Sequence, residues 1–124
     1  EIYGSHSFHE VTMYYPMRMV RERRYKLIWN IAHCLEFPFA LDLLESRTWV
    51  AVKDRGLSKF GKRTIEAYLH RPEFELYDMV NDPDEVENLA YRSDYKGEFE
   101  RLKEKLKRFQ GRTADPWFSK WEHE

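Results

Sequence analysis

The sequence predicts an α+β fold: a small antiparallel sheet of about four strands packed under a long C-terminal helix. Three observations carry this. Period-two alternation over Tyr25–Asn30 and again from Phe74 marks strands. Tyr95, Phe99, Leu102, Leu106 and Phe109 recur at spacings of four and three, which lays one apolar stripe along a helix. Aromatic residues make up 16% of the 124 residues, a supply that favours a packed core over disorder.

Taken in order, Glu1 to His9 has little apolar periodicity and holds Gly4, Ser5 and Ser7, so it reads as a leading loop. Val11, Met13 and Tyr15 alternate with Thr12 and Tyr14 as a strand that Pro16 stops. Met17 to Val20 and Tyr25 to Asn30 are two further strands, joined by the hairpin loop Arg21-Glu22-Arg23-Arg24. Tyr25, Leu27 and Trp29 share one face of their strand; Lys26, Ile28 and Asn30 share the other. Phe37-Pro38-Phe39 is a break, and Leu41 to Leu44 gives one helical turn. Ser46 caps a helix running to about Asp54, with Gly56 as its stop. Lys62 to His70 is a second short helix, closed by Pro72.

Phe74, Leu76 and their neighbours Glu75 and Tyr77 form a half-buried strand, which Asn81-Asp82-Pro83 breaks. Asp82 reads as the N-cap of a following helix, with Glu85 as its reciprocal partner. The stripe helix then spans Tyr95 to Phe109 and ends at Gly111. Glu104 and Arg108 sit at i and i+4 in the favourable order for an ion pair.

Composition narrows the function. The net charge of −1 argues against nucleic-acid binding through bulk charge. The single cysteine, Cys34, forms no intrachain disulfide and leaves the redox compartment undecided. No run is long and apolar enough to span a bilayer, and no signal peptide is visible. The chain begins at Glu1 rather than methionine and reads as one domain, residues 1–124, of something larger.

His6, His9 and Glu10 are the sharpest constellation. Two histidines and a carboxylate so close can bind a metal, but a three-residue spacing suits a helix and the context is a loop leading into a strand. Solvated loop histidines are the plainer reading. Arg18, Arg21, Arg23, Arg24 and Lys26 form a basic cluster suited to sulfate oxygens, or equally a solvated hairpin tip. For Arg18 the main alternative is a buried structural ion pair. Trp29 reads as core. Trp117 and Trp121 can pack back onto the domain, pack onto another, or stack on sugar rings.

Glu75-Leu76-Tyr77-Asp78, Asn81-Asp82-Pro83, Glu85 and Glu87-Asn88-Leu89-Ala90 together resemble the ELYDL…DPxExxNLA segment near the end of type I sulfatases. His9 to Asn30 (HEVTMYYPMRMVRERRYKLIWN) resembles the sulfamidase branch of that family. The likeness continues through SRTWVAVKDRG, GKRTIEAYLHRP and ADPW, and so covers nearly the whole chain.

The resemblance implies the C-terminal subdomain of the alkaline-phosphatase-like sulfatase fold. It implies a missing N-terminal α/β domain that supplies calcium and a formylglycine made from a cysteine in C-x-P-S-R or C-x-A-S-R. Cys34 is followed by Leu35-Glu36-Phe37-Pro38 and does not match that motif; the family's calcium-site motif is not found either. No catalytic residue, cofactor or metal is therefore expected within this piece. The resemblance further implies a sulfated, heparan-type glycan as substrate, with His9 and Glu10, then His6 and Arg18, as residues facing it. The implied compartment is periplasmic or secreted, or lysosomal. Two other readings stay open: a free-standing module that binds sulfated glycan, and a packing domain with no ligand contact. Excision from a larger protein would also expose apolar surface and favour self-association, with Val11, Met13, Tyr15, Trp117 and Trp121 as candidates.

Overall fold

The computed structural model describes residues 1–9 and 13–122. Its centre is a four-stranded antiparallel sheet in the order β1-β2-β3-β6, formed by β1 (Ile2–Phe8), β2 (Tyr14–Arg21), β3 (Tyr25–Asn30) and β6 (Phe74–Asp78). The long helix α4 (Lys96–Arg112) crosses one face.

The expected leading loop is a strand. β1 pairs with β2 from Ile2↔Arg21 to Phe8↔Tyr14. Its weak apolar pattern reflects an edge position and two tertiary contacts. Tyr3 stacks flat on Phe109 of α4, with ring centroids 3.8 Å apart. Gly4 lets Met19 lie across the strand: a Cβ there would come within 3.0 Å of the Met19 side chain.

Pro16 does not stop a strand either, and the two strands expected on its flanks are one. Between the pairs His6↔Met17 and Phe8↔Tyr14, Ser7 faces both Tyr15 and Pro16, which makes a bulge. The carbonyl of Pro16 accepts from Ile31 N–H at 3.1 Å, so the N–H that Pro16 lacks would face the same residue, just beyond the last β2–β3 pair Met17↔Asn30.

The expected faces of β3 hold. Leu27 and Trp29 join Val20, Phe74, Leu76, Leu89, Ala90, Leu102 and Leu106 in one core beneath α4. Full burial of each such side chain stabilises the fold by about 1.5–3 kcal/mol. Trp121, from a 3-10 turn (Phe118–Trp121), lies on Trp29 at 3.9 Å between ring centroids and donates its indole N–H to Gln110. Tyr15 is fully buried and its ring meets Phe37 edge-on. Neither Tyr15 nor Trp121 is therefore free surface, as excision was expected to leave them; Val11 lies outside the described residues.

β6 is more than half-buried. All five of its residues are inside, Glu75 and Asp78 included. Its outer edge is closed by the segment that follows. Asn88 donates to Phe74 O and accepts from Leu76 N–H, both at 2.9 Å, and Leu89 N–H donates to Leu76 O. A side-chain amide thus stands in for a neighbouring strand.

No helix follows Asp82. Its carboxylate accepts from Val86 and Glu87 N–H, both at 2.8 Å, and holds a loop. Glu85, expected as the reciprocal cap, sits at φ +56° and sends its carboxylate to Lys26 at 2.7 Å. A left-handed residue at that position ends any helical path.

Residues 31–72 leave the sheet and return. They form α1 (Leu41–Leu44), α2 (Arg47–Asp54), a two-strand hairpin of β4 (Lys59–Phe60) and β5 (Arg63–Thr64), and α3 (Ile65–Leu69). Ser46 caps α2 through Trp49 N–H, and Gly56 follows it at φ +59°, both as expected. The second helix starts at Ile65 rather than Lys62, because Gly61 at φ +64° turns the preceding residues into the hairpin. Phe37, Phe39, Trp49, Phe60 and Tyr68 pack on one another with centroids 4.4–6.3 Å apart, a second small core.

α4 carries the expected stripe, with Leu102 and Leu106 fully buried. It runs past Gly111, whose bare Cα admits Phe118: a Cβ would lie 3.2 Å from that ring. Glu104 and Arg108 are both exposed, and among the described residues neither joins an ion pair of this helix. Arg101 and Lys105 instead hold Glu22 of the β2–β3 loop.

Candidate functional site

Of the residues singled out by sequence, His6 lies on β1, His9 just after it and Arg18 on the paired strand β2. His6 sits on β1. Its Nδ1 is 3.0 Å from Tyr15 O, and since a carbonyl only accepts, Nδ1 is the donor. The ring lines a shallow hollow of about 220 Å³ with Gly4, Met17, Met19, Lys26 and Ile28, on the sheet face away from α4.

His9 directly follows β1. It is exposed, and its backbone N–H donates to Met13 O at 3.2 Å, closing the connection between β1 and β2. Glu10 lies outside the described residues.

Arg18 points to the opposite face from His6 and is buried. Nε and Nη2 grip the two carboxylate oxygens of Asp115 at 2.5 and 3.0 Å, while Nη1 donates to His6 O at 3.1 Å and Met17 O at 2.9 Å. Four of its five N–H groups are thereby engaged. Burial alone would raise the Asp115 carboxyl. The hydrogen bonds from Arg18, Trp117 N–H and Gln110 outweigh it and hold the group below the usual aspartate range. The fold brings Arg18 to His6 through the latter's backbone, not through its ring.

The rest of the basic cluster disperses, as alternation along a strand requires. Arg24 binds Asp78 and Lys26 binds Glu85, while Arg21 and Arg23 are exposed. Among the described residues no group of three or more His, Cys, Asp and Glu side chains converges as metal ligands do. Cys34 is exposed beside His33.

Two features were not read from the sequence. One is a buried polar network on the sheet face away from α4. Glu75 accepts from Asn30 Nδ2 at 2.8 Å, Arg63 Nη2 at 2.9 Å and the Tyr77 hydroxyl. Burial pushes the Glu75 carboxyl up, but these three donors together prevail and hold it below the ordinary value. The polar alternation of Glu75 and Tyr77 was the available signal; it reads as a solvated face until Arg63 is known to cover it. The other is an aromatic group at the strand ends: Phe8, Tyr14 and Trp117. Trp117 lies 6.3 Å from Tyr14 between centroids, and its N–H donates to Asp115.

Comparison with known proteins places this geometry. No family model matches. The human N-sulphoglucosamine sulphohydrolase is 36% identical over 119 residues, which is 94% of this chain and 24% of that protein. An ulvan-active sulfatase from Formosa agariphila is 35% identical over 92 residues, 74% of this chain and 16% of that protein. A shorter match, 34% over 76 residues, is to the tRNA uridine 5-carboxymethylaminomethyl modification enzyme MnmG of Syntrophomonas wolfei, covering 56% of this chain and 11% of that protein. The chain thus spans about a quarter of the first relative's length or less in each case. The two sulfatase matches take in the larger share of the chain, and the α+β architecture agrees with them. Over most of its length this chain resembles the sulfatases, human N-sulphoglucosamine sulphohydrolase among them.

Proposed function

We propose that this domain completes the substrate cleft of a sulfatase acting on N-sulfated, or alternatively O-sulfated, glucosamine of heparan-type glycans. The observation that carries the reading is the 36% identity to a sulphohydrolase of N-sulphoglucosamine over 94% of the chain. In this reading the formylglycine nucleophile and calcium belong to an N-terminal α/β domain outside these 124 residues. This chain supports that domain and forms one wall of the cleft. His9 and Glu10 face the sugar: an imidazole N–H can donate to a sulfate oxygen, and a carboxylate can accept from a hydroxyl or the glucosamine nitrogen. His6 lies along the same strand, and Arg18 supports the wall from within.

The chain alone is expected to turn over neither aryl sulfates nor N-sulfoglucosamine, because nucleophile and metal supply the chemistry. Turnover by a contaminant-free sample would overturn the assignment of catalysis to another domain. In a longer polypeptide that contains both domains, His9→Ala and Glu10→Ala each lower kcat/KM about tenfold or more, the scale of a lost charged hydrogen bond. Unchanged kinetics in both would favour pure packing. Self-association of the isolated chain belongs to the same reading. Sedimentation over a concentration series measures it, and a strictly monomeric chain would count against a face left open for a larger domain.

A further inference from the structure

We propose that Phe8, Tyr14 and Trp117 form a stacking shelf for one pyranose ring of the glycan, an inference that rests on the function proposed above and adds a subsite to it. Phe8 and Tyr14 are direct partners across β1 and β2, so both side chains leave the sheet on one face. They are 70% and 48% exposed, and neither joins the core beneath α4. Trp117 stands beside Tyr14 with its ring inclined by 50°. Phe8 and Tyr14 are open to water beside a half-buried Trp117, and exposed rings at a strand end are costly unless something covers them.

The shelf is held in place. Trp117 N–H donates to Asp115 Oδ1 at 2.9 Å. Asp115 is itself gripped on both oxygens by Arg18 and bonded by Gln110 Nε2 at 3.2 Å. The turn that presents Trp117 is thus anchored to the middle of β2, and Tyr14 stands at the end of that same strand.

The chemistry fits a sugar better than an aliphatic partner. A pyranose ring presents C–H groups on one face and hydroxyls around its rim. The ring faces take the first; the Tyr14 hydroxyl and the adjacent His9 imidazole can serve the second. His9 follows Phe8 directly, so the polar group proposed to meet the glycan leaves the chain next to the shelf. The shelf contributes ring faces and no charge of its own, so it reads the sugar rather than the sulfate.

The test is fluorine NMR on the chain labelled with fluorotryptophan and fluorotyrosine. It is titrated with an N-sulfated glucosamine oligosaccharide and with its unsulfated N-acetyl counterpart. Trp117→Phe and Tyr14→Phe assign the two signals. Both should shift with both sugars. Tyr14→Ser and Trp117→Leu should each weaken binding about three- to tenfold, as loss of an aromatic contact does. Binding of the sulfated sugar that leaves the Tyr14 and Trp117 signals unmoved overturns the shelf while the proposed function stands. Equal binding of both sugars through these signals supports the shelf and counts against sulfate recognition by this domain. No binding of either sugar overturns the shelf as a site of this chain, and thermal melts of the variants separate that outcome from misfolding.

Discussion

The two faces of the sheet are both covered, but by different chemistry. Under α4 the contacts are hydrocarbon on hydrocarbon: Leu27, Leu76, Leu102 and Leu106 are all essentially inaccessible. On the opposite face Glu75 is just as deeply buried, yet it sits among Asn30, Arg63 and Tyr77, with Lys26 and Glu85 paired further along. The apolar face tolerates approximate fit, because dispersion and solvent exclusion depend on area and not direction. The polar face depends on each donor meeting its acceptor, because a buried charge without partners is far more costly than a small void. The lesson is one of fragility: the polar network should fail abruptly when one partner is lost, the apolar core gradually.

The largest expected effect comes from Arg63→Ala. It leaves the buried Glu75 carboxylate without its cation, and loss of one partner from a buried pair costs about 3–5 kcal/mol. Chemical denaturation measures this. If Arg63→Ala alone is nearly neutral, the polar face is not the weak one. The double variant Arg63→Met, Glu75→Leu should recover much of the loss, since replacing both partners removes the stranded charge.

Next comes Leu102→Ala on the apolar face, expected to cost about 2–5 kcal/mol through lost transfer energy and a residual cavity. Its effect should be the same at neutral and at mildly acid pH. A cost that changes with pH would mean that the two faces are coupled through the sheet.

Acid acts elsewhere, on carboxylates that border the α4 core and lie outside the buried polar network: Glu22 is held by Arg101 and Lys105 of α4. Hydrogen bonds from Arg101, then Lys105, hold the Glu22 carboxyl at about 2, against an ordinary 4.5. Hydrogen bonding by Arg24, against burial and with help from Val80 and Asn81 N–H, holds Asp78 at about 2, against an ordinary 3.8. A depressed carboxyl pKa favours the folded state above the unfolded value, and that stability is lost as pH falls through the folded value. Wild-type stability should therefore decline between about pH 4.5 and 2. Glu22→Gln should flatten the decline, whereas Leu102→Ala should leave its slope unchanged. Urea midpoints taken across this range decide the point.

The smallest effect belongs to a loop that touches neither core. Asp82→Ala removes two backbone hydrogen bonds, to Val86 and Glu87, and should cost about 1 kcal/mol. An unchanged denaturation midpoint would show that Asn88 alone fixes the return along β6.

Legibility in the sequence follows the range of the forces involved. The α4 stripe, the Ser46 cap and the alternation of Leu27 with Lys26 are set within a few residues, and each appears in the structure where the pattern puts it. Of the candidate site, His9 was legible as an exposed residue beside β2. The setting of Arg18 was legible only as one of two alternatives, and its partner Asp115 was not legible, because it stands 97 residues away in the chain. The aromatic group at the strand ends was hidden for the same reason: nothing near Tyr14 in sequence announces Trp117.

By itself, then, the sequence determined the α+β class, the β3 and β6 strands, the capped α2 and the apolar face of α4. Those follow from side-chain periodicity and from caps that close on neighbouring N–H groups. The tertiary structure alone decided that residues 2–8 form a strand, because an edge strand takes its ladder from β2 and its packing from Met19 and Phe109. It decided that Pro16 sits within a strand, because its missing N–H faces the position just past the end of the β2–β3 ladder. It also decided that Asp82 holds a loop and not a helix, because Lys26 draws Glu85 away and Asn88 binds the exposed edge of β6. In each case a distant partner satisfies a hydrogen bond or a charge that the local pattern leaves open, and a buried polar group goes wherever that partner is.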